Sequence, residues 1–201
     1  MKKGVLKFVF AVLFLCYGGL AQATNIDFNS VNPIGTIQNG QNYNYVTLHD
    51  SAIVTMTGGS VQAVWSYDSS TLQLQGGNVS VGIYVWNSSN LVMSGGIAAG
   101  LELHGGVAHL SGGSITGSLG IFDSASMVYI DGKNFNSTPN NGWIITGNWN
   151  DDSSTPFTIW YRAASAPMPG SPGSQIILIP EPATAFLLGL GIALARKRLA
   201  K

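Results

Sequence analysis

Apolar and polar residues alternate along most of the chain between Ser51 and Phe135, and the alternation repeats in units of similar length. Each unit holds an alternating run, a Gly-Gly pair, a second alternating run and, in most copies, an Asp/Asn-Ser turn. The pairs start at Gly58, Gly76, Gly95 and Gly112, with a weaker copy at Gly132, so the intervals are 18, 19, 17 and 20 residues. So regular a period predicts a repeat array.

Three apolar columns keep a fixed place relative to the Gly-Gly pairs: four and two residues before the first glycine, and three residues after it. Period-two alternation indicates β-strands, and a coil that buries one apolar face needs a stacked neighbour. We therefore predict an all-β fold, a single-stranded parallel β-solenoid (β-helix) of about five coils. The predicted inward residues are Val54, Met56, Val61, Leu72, Leu74, Val79, Leu91, Met93, Leu110, Ile115, Val128 and Ile130.

The two kinds of corner have different chemistry. At the Gly-Gly pairs the chain must bend sharply, and glycine reaches positive φ without a Cβ clash. At the other corner stand Asp68-Ser69-Ser70, Asn87-Ser88-Ser89 and Asp123-Ser124-Ala125, whose side chains cap turns and predict a polar ladder. Coil three departs, with Gly105-Gly106 at the ladder position and Ile97 where other coils have Ser or Asn.

The repeat has a family resemblance. The stretch Ser51 to Asp68, SAIVTMTGGSVQAVWSYD, and its copies resemble the GG-repeat β-helices of bacterial secreted proteins, which occur in many PEP-CTERM surface proteins. The repeat motif is loose, and it implies the solenoid fold rather than an activity.

The segments beside the repeat predict caps. In residues 24–50, which we group with the solenoid (24–135), Tyr43, Tyr45 and Leu48 alternate and predict an incomplete capping coil. In residues 136–175, two strands are predicted, Trp143–Ile145 and Phe157–Tyr161, which form a hairpin-like cap. A Pro/Gly/Ser tether follows over 166–174. One last strand is predicted over Ile176–Ile179.

Residues 1–23 have the three parts of a secretory signal peptide: basic Lys2 and Lys3, an apolar helical stretch, and small residues before a cleavage point between Ala23 and Thr24. An uncleaved anchor is the alternative. The single cysteine, Cys16, lies in that stretch, so the expected mature chain has neither a disulfide nor a thiol nucleophile. Export would use the Sec translocon.

Charge is scarce, at 9% of residues, and unevenly placed. Of nine basic residues, three lie in the first seven positions and four in the last six, so only two, Lys133 and Arg162, lie between, against eight acids. Nucleic-acid binding needs clustered Lys and Arg, so we expect no nucleic-acid partner. Low charge with abundant Gly and small polar residues favours an extracellular sheet-rich protein.

The candidate chemical groups are few. Asp50, Asp68 and Asp123 lie at corners about one coil or more apart, and no Lys or Arg accompanies them, whereas acid–base catalysis needs convergent groups. The three histidines, His49, His104 and His109, have no completing ligand set and are expected to flank turns. We expect no catalytic residues, no metal and no cofactor; a weak cation site at the corner acids is the alternative.

The aromatic side chains are the candidate ligand contacts. Ile83 and Val85 share parity with Val79 and Val81, which places Tyr84 and Trp86 on the opposite, outward face. Phe122 matches Trp86 two coils further on. Exposed rings on a solenoid could stack on sugar rings; packing beneath the cap or neighbouring loops is the alternative.

The last residues combine three parts in order: Pro180-Glu181-Pro182, an apolar run over 183–195, and the basic cluster Arg196-Lys197-Arg198. An apolar helix enters the membrane and basic residues stay on the cytoplasmic side. The run has 13 residues, which at about 1.5 Å each extend roughly 20 Å, short of a hydrocarbon core near 30 Å. A buried or interfacial helix is the alternative; snorkelling basic side chains would bridge part of the gap.

Residues 176–201 resemble the PEP-CTERM sorting domain of exosortase substrates. The resemblance covers about a tenth of the chain and is specific, because tripeptide, helix and basic end coincide at the C-terminus. It implies that Pro180, Glu181 and Pro182 are recognised by exosortase and that the helix over 183–195 holds the chain in the inner membrane until processing. Ile179 departs from the usual Val before the motif.

These features favour a non-enzymatic protein of the cell surface or extracellular matrix of a Gram-negative bacterium, associated with exopolysaccharide or biofilm. The alternatives are a carbohydrate-binding adhesin and a polysaccharide-active β-helix enzyme.

Overall fold

The computed structural model describes residues 24–139, 143–150, 155–163 and 175–180. Every regular element in these ranges is a β-strand, and none of the residues described belongs to a helix that is long and apolar enough to cross a membrane. The predicted signal helix (1–23) and tail helix (183–195) lie outside these ranges. The strands are β1 Thr24–Phe28, β2 Ile34–Ile37, β3 Asn42–Leu48, β4 Ile53–Ser66, β5 Thr71–Trp86, β6 Asn90–Ala98, β7 Leu101–His104, β8 Val107–Ile115, β9 Ser118–Ile121, β10 Met127–Pro139, β11 Trp143–Trp149, β12 Pro156–Ala163 and β13 Ile176–Pro180.

The strands wind into a parallel β-solenoid, which confirms the predicted fold class. Successive coils pair in parallel, and one inward column runs through Val54, Leu72, Leu91, Ala108 and Val128. The solenoid has about six turns rather than the predicted five. The additional turn is β2 with β3, which pair with the two halves of β4 and so form a whole coil instead of an incomplete one.

The core is one narrow column of aliphatic side chains along the solenoid axis. All twelve side chains predicted to face inward are buried, none of them more than 7% exposed. The alternation within each strand places these side chains on one face, and stacking in register brings every coil's apolar face onto the next. The sequence therefore predicted the core correctly at all twelve positions.

Val81 is an exception to the predicted facing of coil two. It shares parity with Val79 in the sequence, yet it is 56% exposed. The register explains the difference: Val61 pairs with Val79 but Ala63 pairs with Gly82, so one residue of β4 lies opposite two of β5. This β-bulge turns Val81 outward and restores the alternation from Ile83 onward.

The Gly-Gly pairs are bends inside strands. β4 and β5 run through their pairs without interruption, and the second glycine has positive φ, +78° at Gly59 and +85° at Gly77. The first glycine has a different constraint, because a Cβ on Gly76 would approach the Thr57 carbonyl oxygen of the preceding coil to 2.5 Å. In the weaker copy, where Lys133 replaces the second glycine, the residue with positive φ is Asn134.

The second corner carries the predicted polar ladder. Asp50, Asp68 and Asn87 all have φ of 58–59°, and Gly105 continues this position in coil three with φ of 104°. Asp and Asn tolerate this left-handed conformation better than most residues, which explains why three coils have one of them where coil three has a glycine. Ser70 and Ser89, two residues after Asp68 and Asn87, are buried; Ser89 Oγ, for example, donates to the Ser66 carbonyl oxygen at 2.9 Å.

The C-terminal segment forms the predicted hairpin cap. β11 and β12 are antiparallel to each other; β11 also pairs with β10, and β12 pairs in parallel with β9. The hairpin therefore joins the two faces of the last coil and closes the sheet over the end of the core. β13, the predicted last strand, lies on β10 in parallel register.

Candidate functional site

The three candidate aromatic side chains lie on the predicted outward face. Tyr84 and Trp86 alternate with the buried Ile83 and Val85, and both are half-buried. Phe122 follows β9 and is 46% exposed. Strand pairing places Trp86, His104 and Phe122 in one column, as the sequence spacing of Trp86 and Phe122 indicated.

A row of five stacked rings, here called the long ladder, runs along this column. It consists of His49, Tyr67, Trp86, His104 and Phe122. The ring centroids are 5.0, 6.3, 3.8 and 4.8 Å apart in that order, and no interplanar angle exceeds 22°. Because neighbouring strands are about 4.8 Å apart, rings in register stack face to face.

A second row, here called the short ladder, lies beside it. Trp65 and Tyr84 come two residues before Tyr67 and Trp86, whereas Tyr45 comes four residues before His49. Tyr45 is tilted against Trp65 at 5.0 Å, and Trp65 stacks on Tyr84 at 5.7 Å and 14°. Gly120 occupies this column in coil four. The ring of Phe122 lies over the bare backbone there, because a Cβ on Gly120 would meet that ring at 2.5 Å.

Stacking limits what the ladders can bind. A sugar ring stacks on the face of an aromatic ring, but Trp86 has Tyr67 on one face and His104 on the other. Only the edges of the inner rings are accessible. Phe122 ends the long ladder, and no further ring of the described residues covers its other face. Of the three candidates, Trp86 is stacked between two rings, whereas Tyr84 and Phe122 each have one ring neighbour among the described residues.

Trp86 carries an unusual polar atom. Its indole Nε1 is buried and, within the described part of the chain, has no hydrogen-bond partner. Such a group costs on the order of 1–3 kcal/mol. Stacking on both sides offsets this cost, since an aromatic pair contributes about 0.5–1.5 kcal/mol beyond its area burial. The ladder is thus first of all a stabilising feature of the solenoid.

The histidines differ from the expectation that they merely flank turns. His49 and His104 are members of the long ladder, and His109 stacks on Tyr129 at 4.6 Å and 8°. The signal was in the sequence: the ladder positions 49, 67, 86, 104 and 122 are 18, 19, 18 and 18 residues apart, the same period as the coils. Treating histidine as an aromatic residue would have found it.

Carboxylates accompany two of these histidines. His49 lies between Asp27 and Asp68, with Nε2 3.9 Å from Asp27 Oδ1 and Nδ1 3.9 Å from Asp68 Oδ2. His104 Nε2 is 3.6 Å from Glu102 Oε2. All of these side chains are partly exposed, where such ion pairs contribute little.

The corner acids accept hydrogen bonds from backbone groups. The Asp50 N–H donates to Asp68 Oδ2 at 3.2 Å, and the Ser30 N–H donates to Asp50 Oδ2 at 2.9 Å. Asp123 Oδ1 accepts from the Ala125 N–H at 2.6 Å. In the described ranges, no group of three or more His, Cys, Asp or Glu side chains lies close enough together to hold a metal ion. The arrangement is that of a turn ladder.

A groove that the sequence did not predict lies between coil four and the cap. We call it the cap groove; it has a volume of about 520 Å³ and lies between Gly113–Thr116 on one side and Thr155–Trp160 on the other. Trp149 closes one end, where its Nε1 donates to the Gly113 carbonyl oxygen at 3.0 Å and its ring packs on Phe157. Gly113 and Trp160 are 47 residues apart (160−113), so no local pattern could reveal the groove.

Trp160 distinguishes the cap groove from the ladders. Its indole is 49% exposed and has no ring neighbour among the described residues. The exposed hydroxyl-bearing residues Ser114, Thr116 and Thr158 line the same groove. A half-exposed indole beside hydroxyl groups, in a groove that the apolar Ile115 and Phe157 also line, is a suitable surface for a sugar ring.

Two residues of the predicted processing signals belong to described strands. Thr24, after the predicted cleavage point, lies in β1, and Pro180, the first residue of the predicted sorting motif, lies in β13. Glu181, Pro182 and the basic cluster Arg196, Lys197 and Arg198 lie outside the described residues, as does Ala23.

The fold and these surfaces define the class of the protein as a parallel β-solenoid. No protein-family model, curated protein or solved structure matches the chain at a significant level.

Proposed function

We propose that this protein is an exported, non-enzymatic component of the cell surface or extracellular matrix of a Gram-negative bacterium, associated with exopolysaccharide or biofilm. On this proposal the Sec translocon exports the chain, and the tail holds it in the inner membrane. Exosortase then recognises Pro180-Glu181-Pro182 and passes the body to its final location.

One observation carries the proposal: the described residues between the two predicted signals form a parallel β-solenoid around a continuous apolar core. A stack of repeated coils supplies an extended surface and stabilises itself through contacts between neighbouring coils, as a structural component of a surface or matrix needs. The sparse charge of the body also favours a scaffold, as do the corner acids Asp50 and Asp68, which already accept backbone hydrogen bonds.

The sorting step is tested by replacing Pro180-Glu181-Pro182 with three alanines. A matched control replaces Pro167-Met168-Pro169, a second triplet with two prolines that lies in the predicted tether. We expect the first variant alone to remain in the inner membrane with an unprocessed C-terminus, as shown by fractionation and intact mass. If it reached the same location with the same C-terminal mass as the unaltered protein, the tail would be only an anchor.

A second candidate function, a carbohydrate-binding adhesin, is favoured by the exposed Trp160 in the cap groove. The purified protein would be passed over immobilised acidic and neutral polysaccharides. We expect Trp160→Ala to lose retention and Phe122→Ala to keep most of it, because Trp160 has hydroxyl-bearing neighbours. Equal retention by the unaltered protein and both variants would exclude these two rings, and release of shortened chains would point to an enzyme.

A further inference from the structure

The N-terminal end of the solenoid lacks half a coil. β1 pairs with β3 and lies one coil above it, whereas β2 pairs with β4 and, within the described residues, no strand lies above β2. The place beside β1 and above β2 is therefore free in a chain that starts at Thr24. We call this place the notch; its floor is the outer edge of Ile34–Ile37.

The opposite end has half a coil in excess. β13 lies on β10, with Ile176 over Val128 and Leu178 over Ile130, so it occupies the same half of the coil that is missing at the notch. The cap hairpin ends the other half, and no described strand pairs with the outer edge of β13. We call this strand the tongue.

Exposed apolar side chains are concentrated at both places. Val31 and Ile34 are 91% and 75% exposed, the two highest values among the large hydrophobic residues, and both lie at the notch. Ile177 and Ile179 on the tongue are also exposed. Neither β2 nor β13 contains a charged residue. Open edge strands are usually protected by charges, bulges or a cover, because their free N–H and C=O groups attract another strand.

We infer that this surface binds a second copy of this chain, head to tail: the tongue of one copy enters the notch of the next. β13 is parallel to β10 and β2 is parallel to β4, so the incoming strand has the direction of an ordinary next coil. Continuing the columns places Ile176 over Gly35, Ile177 over Thr36 and Leu178 over Ile37. Ile176 would then pack near the Phe28 ring, which fills the space beside Gly35.

This contact uses two different surfaces, so it does not close on itself. A heterologous contact that repeats along one axis gives an open filament rather than a dimer. The inference rests on the proposed export, because the place above β2 is free only in a chain that begins at Thr24. It would give a matrix protein a means of extending beyond a single molecule.

Cysteine cross-linking tests the register. The exported protein, shown by intact mass to begin at Thr24, has no cysteine of its own. Thr36→Cys with Ile177→Cys would bring two thiols onto neighbouring strands, with Cα atoms about 5 Å apart, within the range of a disulfide. We expect oxidation to give a series of covalent multimers that reducing agent returns to monomer.

Thr36→Cys with Val92→Cys is the matched control. Val92 lies in the same outward column and is also exposed, but in the middle of the stack. The control should stay monomeric. Monomer alone from the first pair, or the same multimer series from both pairs, would overturn the inference.

A cysteine-free experiment tests the contact independently. Ile177→Lys with Ile179→Lys puts two charges beside the open edge, whereas Val92→Lys puts one on the side of the stack. We expect the average mass of the unaltered protein and of Val92→Lys in sedimentation to increase with concentration, and that of the tongue variant to stay at monomer. Unaltered protein that stays monomeric or stops at dimer would contradict an open head-to-tail contact, as would a tongue variant that still grows.

Discussion

At the residue scale, the second glycine of each Gly-Gly pair is constrained in two separate ways. Gly77 has φ of +85°, and an added Cβ would also lie 2.6 Å from the Gly58 carbonyl oxygen and from Met56 Cε. Gly40 has nearly the same φ, +84°, yet an added Cβ would meet nothing within 4 Å. The two positions therefore separate backbone strain from steric contact with the preceding coil.

The first prediction compares Gly77→Ala with Gly40→Ala. The left-handed conformation alone should cost Gly40→Ala about 1–2 kcal/mol of the free energy of unfolding. Gly77→Ala should cost at least about 2 kcal/mol more, because the backbone of two stacked coils must move apart. Denaturant unfolding of both variants measures the difference. Equal losses would mean that the coils adjust freely at the Gly-Gly bend.

The second prediction concerns the core. Leu74 is fully buried in the middle of the aliphatic column, with Met56 and Met93 as its neighbours in the stack. Leu74→Asp puts an unpaired charge there and should destabilise the protein by about 4 kcal/mol or more. The neighbouring Gln75 is exposed, so Gln75→Asp should change the free energy of unfolding by less than about 0.5 kcal/mol. An unchanged thermal transition in Leu74→Asp would show that the assigned register is wrong.

At the scale of the element, the long ladder joins five coils through side chains on the outside of the sheet. Its inner rings are stacked on both faces, while Phe122 is stacked on one face and exposed. The contribution of a ring to the free energy of unfolding should therefore depend on its place in the ladder. The mere fact that the residue is aromatic should matter less.

The third prediction follows from that difference. Trp86→Ala should cost about 2–3 kcal/mol, because it leaves a gap between Tyr67 and His104. Phe122→Ala should cost less than about 1 kcal/mol, because that ring is half exposed and stacks on one neighbour. Trp86→Phe should cost less than Trp86→Ala, since it keeps a ring and removes the unpaired Nε1–H. Thermal unfolding of the three variants gives the order, and a Phe122→Ala loss as large as that of Trp86→Ala would disprove the ladder account.

At the scale of the whole molecule, stability comes from the stacking of similar coils. The coils at the two ends differ from the others because each has a neighbouring coil on one side only. Neighbouring coils supply each other's burial, so the end coils depend on the cap hairpin at one end and on β1 at the other. The corner acids Asp50, Asp68 and Asp123 accept backbone hydrogen bonds from the Ser30, Asp50 and Ala125 N–H groups, respectively. Among the residues that the structure describes, no group of three or more His, Cys, Asp or Glu side chains could hold a metal ion.

The fourth prediction is that a chelator leaves the melting temperature of the purified protein unchanged, within about 1 °C, because no cluster of acidic or histidine side chains in the described ranges could bind a stabilising cation. The measurement is a thermal scan with and without EDTA, repeated after addition of excess Ca²⁺. A marked decrease with EDTA that Ca²⁺ reverses would assign a structural ion, and Asp68, Asp123 and Asp151-Asp152 would be the side chains to replace first.

The sequence by itself determined the coil period, the inward columns, the glycine bends and the two cap strands. These features depend on short-range alternation and on a fixed interval, which are the same in every coil. Leu74 is buried for the same reason as Val54, so one correct column predicts the others. The outward position of Tyr84 and Trp86 followed from the same parity.

Only the tertiary structure decided the features that depend on small differences between coils. One extra residue in coil two turns Val81 outward, and the sequence alternation cannot locate such a bulge. The histidines joined the ladder, and Trp149 and Trp160 came to line a groove beside Gly113, because strand register brings distant residues together. The notch and the tongue likewise depend on which half-coil each end of the stack contains. Facing is a local property of a strand, whereas register and chain ends are properties of the complete stack.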